Sequence, residues 1–284
     1  MAVTPKVWPE DGARQGSSVR PLTLIPDRMP EFSLGSYAYL IASLRDAGYA
    51  FAPLRSMRAT EPGRTVYLRH DIDLHLLHVD RVAELEAELG VVATYYVALT
   101  QPYNVLSSEN IAILRRLVEL GHDLGLHYDL TCYPTEPEAA HERLAWEVSV
   151  LERASESTVC SICMHQPHTG HPNLFERSER WLNPHDPSLA EGLLYVSDSC
   201  RAWRDESLLS ALGGDAPQRV MLNTHPELWL DGTITGRERY LEDVVMGHAV
   251  AQTERYLDET VRAAWRHHSG ARAHDARVAA AHES

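Results

Sequence analysis

From residue 33 onward, short apolar runs alternate with amphipathic stretches. Tyr37, Leu40, Ile41 and Leu44 recur at helical spacing and stop at Gly48, which predicts a helix starting near Ser33. Thr65-Val66-Tyr67-Leu68 follows a Glu61-Pro62-Gly63 turn and predicts a buried strand over 65–69. Leu76, Leu77, Val79, Val82, Leu85 and Leu89 mark a second helix closed by Gly90. The β-branched and aromatic run VVATYYVAL, 91–99, predicts a second strand. Ser107 or Ser108 caps a helix through Ile111, Leu114, Leu117, Val118 and Leu120, closed by Gly121. HDLGLH, 122–127, predicts a third strand. Beyond it the pattern predicts a helix over about 136–154, a strand at 157–165 and a loop-rich stretch from 166 to 191. Then come a strand at 193–199, a short helix over about 205–212, a strand at 219–226 and a final helix from about 236 to 266.

Strands that alternate with helices imply parallel βαβ units. At least six such strands, in a chain of 284 residues, fit a barrel or an open parallel sheet. Residues 1–30 are polar and proline-rich and predict a loose arm, 31–266 a single α/β domain, and 267–284 a frayed tail. Both architectures place their sites at the C-terminal ends of strands. Polar residues fall there repeatedly: Asp71 and Asp73, then His127, His165, Asp198 and His225. In RHDID, 69–73, the two aspartates lie two apart, so they project from one face of the strand. Two adjacent buried carboxylates are costly unless a cation or a proton lies between them. The competing expectation is a turn in which both cap the next helix.

Composition narrows the chemistry. The net charge of −14 argues against nucleic acid or anionic membrane as a partner. No apolar run is long enough to span a membrane. The first residues lack the basic start and apolar centre of a secretory signal, so a cytoplasmic protein is expected. Lys6 is the only lysine, which excludes Schiff-base and P-loop chemistry from the core. The four cysteines are too few and too unevenly spaced for a disulfide framework. Cys160 and Cys163, three apart on a strand, are expected to be core thiols rather than zinc ligands. The 16 histidines tilt the chain toward metal or acid–base chemistry.

An aspartate and two histidines around a Zn²⁺-like ion leave one position open for water, the pattern of a hydrolytic site. A free carboxylate then takes a proton and a separate histidine gives one to the leaving group. The order RHDID, GHDLGLH, an H-x-P segment, SDS and NTHP resembles the polysaccharide deacetylase family, carbohydrate esterase family 4, in a divergent branch with an RHD-x-D first motif. The resemblance covers roughly residues 65–230. It implies a distorted, incomplete (β/α) barrel of about six or seven parallel strands. The implied activity is metal-dependent removal of an acyl group from the nitrogen of a small substrate such as an N-acetyl amino sugar, with Zn²⁺ as the expected ion. Carried over residue by residue, Asp71 is the catalytic base, Asp73 and His127 bind the metal, His225 is the general acid, and Asp198 lies near the supporting segment. His122 and His70 receive no chemistry.

Two positions depart from the family pattern. The usual second metal histidine is Thr131 here, and Gln166 stands where an arginine would pair with the catalytic aspartate. Asp129, His165 and His168 are the candidates for the third ligand. His165 is preferred because it ends its own strand and keeps the ligand set Asp-His-His. Gln166, Asp198, Trp203 and Trp229 are the expected substrate contacts, the two indoles as stacking platforms. The rival functions are hydrolysis of another C–N bond, of cyclic ureide type, and a non-catalytic carbohydrate-binding relative, the latter motivated by Thr131.

Overall fold

A computed structural model describes residues 32–59, 63–167, 173–203, 217–230 and 236–267. The expected arm, the helix at 205–212, His168 and the tail from 268 onward lie outside these residues. Seven parallel strands build one sheet: β1 (Tyr49–Ala52), β2 (Arg64–Ile72), β3 (Thr94–Val97), β4 (Asp123–Tyr128), β5 (Val159–Met164), β6 (Leu193–Ser197) and β7 (Arg219–Thr224). The order is β5-β4-β3-β2-β7-β6. β1 shares one edge of β2 with β3, pairing at Arg64 to Tyr67 while β3 pairs at Arg69 to Ile72. β5 and β6 do not pair among the described residues, so the sheet stays open there, consistent with an incomplete (β/α) barrel.

Four helices cover the sheet: α1 (Leu34–Asp46), α2 (Val79–Glu88), α3 (Ser108–Glu119) and α4 (Pro137–Ser155). Ser33 and Ser107 cap α1 and α3 by accepting from the N–H groups of Ser36 and Asn110. Gly48 and Gly121 follow α1 and α3 with φ of 88° and 89°, which a side chain would disfavour. The predicted stripe Tyr37, Leu40, Ile41 and Leu44 is buried against the sheet. A last helix, α5, runs over 237–267 and contains two π-helical stretches, Leu241–Met246 and Leu257–Arg262. No helix among the described residues is long and apolar enough to cross a membrane.

Two corrections concern element boundaries. β1 was not expected, because YAFA is four residues with two alanines and carries little strand signal. The second helix starts at Val79 rather than Leu76, and Leu76 is buried in the turn before it.

Gly125 sets how closely β3 and β4 pack near the site. A Cβ there would stand 2.4 Å from Cε1 of the buried Tyr96 ring. That ring lies under the Arg69 guanidinium at 5.3 Å. Gly125→Ala should therefore destabilise the fold by about 1–3 kcal/mol, the usual cost of overpacking, and displace Arg69. Urea unfolding measures the first effect; wild-type stability in this variant would show that Tyr96 yields freely.

Candidate metal-dependent active site

The strand ends converge on one cavity of about 600 Å³. Asp71 lies near the end of β2 and Asp73 just beyond it; His127 is in β4, and His165 and His225 are the first residues past β5 and β7. All five line the cavity. Asp73 Oδ1 stands 3.3 Å from His127 Nε2 and 3.4 Å from His165 Nδ1, and those two nitrogens are 3.2 Å apart. Ligands held about 2.0–2.1 Å from a tetrahedral ion are separated by about 3.3 Å. The three donor atoms therefore already form one face of such a tetrahedron.

The electrostatics agree with that geometry. Burial disfavours charge on His127, yet Asp71 and Asp73 push its pKa well up, so the pocket favours positive charge there. His127 Nδ1 lies 3.1 Å from the Cys163 carbonyl, which can only accept, so Nδ1 keeps a proton and Nε2 is the ring nitrogen turned toward Asp73. Asp73 Oδ1 is buried and makes no hydrogen bond, the state of an acceptor awaiting a cation. These residues fit a divalent ion.

Asp71 stands to one side of the triad. Arg69 donates to it in bidentate fashion, Nε to Oδ1 at 3.2 Å and Nη2 to Oδ2 at 2.6 Å, and Asn223 Nδ2 donates to Oδ2 at 3.0 Å. Burial alone would raise the Asp71 pKa, but the Arg69 guanidinium outweighs it and holds the carboxyl far below the usual range. Three donors leave one lone pair on Oδ1 to receive a proton. The expectation that no arginine pairs with Asp71 is thus corrected: the partner is Arg69, not the residue at position 166. Arg69 was legible in principle, since R-x-D on a strand puts both side chains on one face. Asn223 was not, because it reaches Asp71 only through the β2–β7 register that pairs it with Arg69.

His225 stands on the other side, with Nε2 3.6 Å from Asp73 Oδ2. Its backbone N–H and its Nδ1 donate to Asp198 at 3.1 and 2.6 Å, and Trp229 Nε1 donates to the same carboxylate at 2.7 Å. Burial works against a charged His225, but Asp198 overrides it and the pKa rises to about 10. Two residues on, Glu227 is fully buried and its Oε1 accepts from the backbone N–H groups of Asp73 and Leu74 at 2.8 and 3.1 Å. It clamps the turn that carries Asp73 and had no signal in the sequence.

The expected substrate contacts divide. Gln166, at a positive φ of 47°, lines the cavity. Asp198 is completely buried and faces His225, not the cavity. Trp229 is also completely buried, 4.8 Å from Phe32 and 5.1 Å from Tyr37 between ring centres, while Trp203 stacks on Phe32 at 6.1 Å. The indoles are therefore not in the described cavity wall; the Trp229 hydrogen bond to Asp198 draws that ring beneath the site. Asp129 Oδ1 accepts from the Thr131 backbone N–H and hydroxyl, and neither residue lines the cavity.

Cys163 is buried as expected but stands on the site side. Its thiol, Asp71 and His127 form a second group of donor atoms within 4.8 Å of one another. Burial raises the thiol pKa, but Arg69 and His185 outweigh it and bring it to about 6. Asp71 is already engaged by Arg69 and Asn223, which makes Asp73, His127 and His165 the better ion site. His185 arrives because Leu182 bridges to β5 in the segment expected to be loop, bringing the chain back toward the site.

No family model and no curated protein matches this chain. Among solved structures it is similar to a family 4 acetyl xylan esterase from Clostridium thermocellum in complex with a cobalt ion, at 14% identity over 66% of this chain and 84% of that one, with a TM-score of 0.41. It is also similar to a peptidoglycan deacetylase from Bacillus subtilis, at 12% identity over 71% and 97% of the two chains and a TM-score of 0.41. A family 4 carbohydrate esterase pseudoenzyme from Bacillus anthracis is similar at 15% identity over 68% and 63%, with a TM-score of 0.40.

Proposed function

We propose that this protein is a metal-dependent hydrolase of the carbohydrate esterase family 4 type, which removes an acyl group, acetyl by preference, from the nitrogen of a small amide such as an N-acetyl amino sugar or its conjugate. The observation that carries this reading is the Asp73–His127–His165 triangle, with edges of 3.2–3.4 Å, flanked by a carboxylate on one side and an imidazole on the other. Asp73, His127 and His165 would hold a divalent ion, Zn²⁺ by the chemistry of its donors, which would supply Lewis acidity to the amide carbonyl and acidity to a water. Asp71 accepts the proton of the attacking water. Arg69 keeps Asp71 ionised beforehand and Asn223 fixes its orientation. His225 Nε2 donates a proton to the departing nitrogen, so that the C–N bond breaks to give amine and carboxylic acid. Asp198 holds the imidazole by Nδ1, leaving Nε2 toward the cavity.

Elemental analysis and acetate release from a panel of N-acetylated sugars test this together. The expected result is one equivalent of ion at the Asp73 site and turnover that a chelator abolishes and Zn²⁺ restores. Turnover by ion-free protein would sink the mechanism. Ion binding without turnover on acetylated sugars, but with turnover of a cyclic ureide, would transfer the site to the other C–N chemistry. Ion-free protein that binds sugars without turnover is the outcome of a carbohydrate-binding relative.

A further inference from the structure

One part of the cavity wall is built around arginines that the hydrolytic steps do not use. Arg201 ends the turn after β6, and Arg237, Tyr240 and Leu241 come from the start of α5; all four line the cavity. Positions 237, 240 and 241 are i, i+3 and i+4 of one helix, so they share a face.

Arg201 is held from two sides. Its guanidinium carbon lies 3.9 Å from the centre of the Tyr240 ring and 5.5 Å from that of Phe32. Its backbone has φ at 53°, in the left-handed region that disfavours a side chain. Stacking uses the faces of a guanidinium, not its N–H fork, and the fork is what matches a carboxylate or a phosphate. Arg237 is exposed and has no ion-pair partner among the described residues, whereas Arg239, two residues on, is engaged by Asp243. The acids of the wall have other tasks. Asp71 is held by Arg69, Asp73 faces two imidazoles, and Glu227 accepts from backbone N–H groups. In a chain of net charge −14, two arginines on one wall of a cavity focus the local field on an incoming anion.

We propose that the substrate is anionic, an N-acyl amine carrying a phosphate or a carboxylate that Arg201 and Arg237 receive; this rests on the hydrolase reading above. The wall also says which half of the substrate bears the charge. Arg201 is three residues past Asp198, which holds His225, and Tyr240 donates to the backbone carbonyl of Glu227, two residues past His225. Both connections run to the group that protonates the departing nitrogen. The anionic group therefore belongs to the amine half, not to the acyl half.

The probes are N-acetylglucosamine, its 1-phosphate, its 6-phosphate and its C6 carboxylate, N-acetylglucosaminuronic acid. With zinc-loaded wild type, KM for acetate release should be about 10–100-fold lower for an anionic probe than for the neutral sugar, the worth of one hydrogen-bonded charge. Calorimetric binding to Asp73→Asn repeats the comparison without turnover and without an ion that could take the phosphate itself. The preference should persist there, and the tighter of the phosphate and carboxylate probes identifies the group. Arg237→Gln and Arg201→Gln, added to Asp73→Asn, should each bring the ratio toward one. Arg201→Lys should recover only part of it, because an ammonium lacks the fork. Equal affinity for neutral and anionic probes, or a preference that both glutamine variants leave intact, would overturn the proposal. Acetate release with equal KM for all four probes would do so while the hydrolase reading stands. Arginine-dependent preference without acetate release would instead remove the hydrolase reading and keep the anion site.

Discussion

Asp71→Asn should keep its ion and lose about 10²–10⁴-fold in kcat, the usual worth of general-base catalysis, whereas Asp73→Asn should lose the ion itself. The two residues are identical aspartates two apart in the chain, so the contrast isolates position. Asp71 is held by Arg69 and Asn223, which leaves a single lone pair for a proton and none readily for a cation. Asp73 has the opposite arrangement: Oδ1 accepts no hydrogen bond and faces two imidazole nitrogens at 3.3 and 3.4 Å. Asparagine at 73 removes the charge that draws a divalent ion. Asparagine at 71 keeps the shape but leaves Arg69 buried beside a neutral group, so some stability falls as well; removing one partner of a buried pair costs about 3–5 kcal/mol. Metal content and kcat, measured on the same preparations, decide the matter. Equal metal loss in both variants would show that the two aspartates share one role.

The second large effect is on the alkaline side of the pH profile. A general acid must be protonated to act, and Asp198 holds the His225 pKa up to about 10 against the opposing effect of burial. A bound ion neutralises Asp73 but not Asp198. The alkaline limb of kcat/KM should therefore fall above the ordinary histidine value of about 6.5 and no higher than about 10. Asp198→Asn removes the charge that raises the pKa, so the limb should move to lower pH while the ion stays bound. His225→Ala should lose about 10²–10⁴-fold in rate, and less for substrates with a good leaving group, which need no protonation. An Asp198→Asn limb that does not move would remove His225 from the role of acid.

The chain by itself determined the elements and the rim of the site. Period-3.6 stripes closed by Gly48 and Gly121, and β-branched runs between them, suffice for βα alternation because each is a local property of the backbone and its solvation. That alternation in turn puts Asp71, Asp73, His127, His165 and His225 at strand ends, since in parallel units every strand finishes on the same side. Even the Arg69–Asp71 pair was written in the strand period, since R-x-D sets both side chains on one face. What only the tertiary structure decided is everything that depends on which strand lies beside which. The β2–β7 pairing sets Asn223 against Arg69, and the chain past β7 folds back so that Glu227 clamps the Asp73 turn. Asp198 and Trp229 are 31 residues apart, yet one hydrogen bond buries both behind His225 and withdraws them from any substrate. His248 reaches His75 and His78 only because α5 crosses the turn before α2. Sequence spacing carries the direction of a side chain along its own element; burial and hydrogen-bond partners are set by neighbours distant in the chain, which no local pattern encodes.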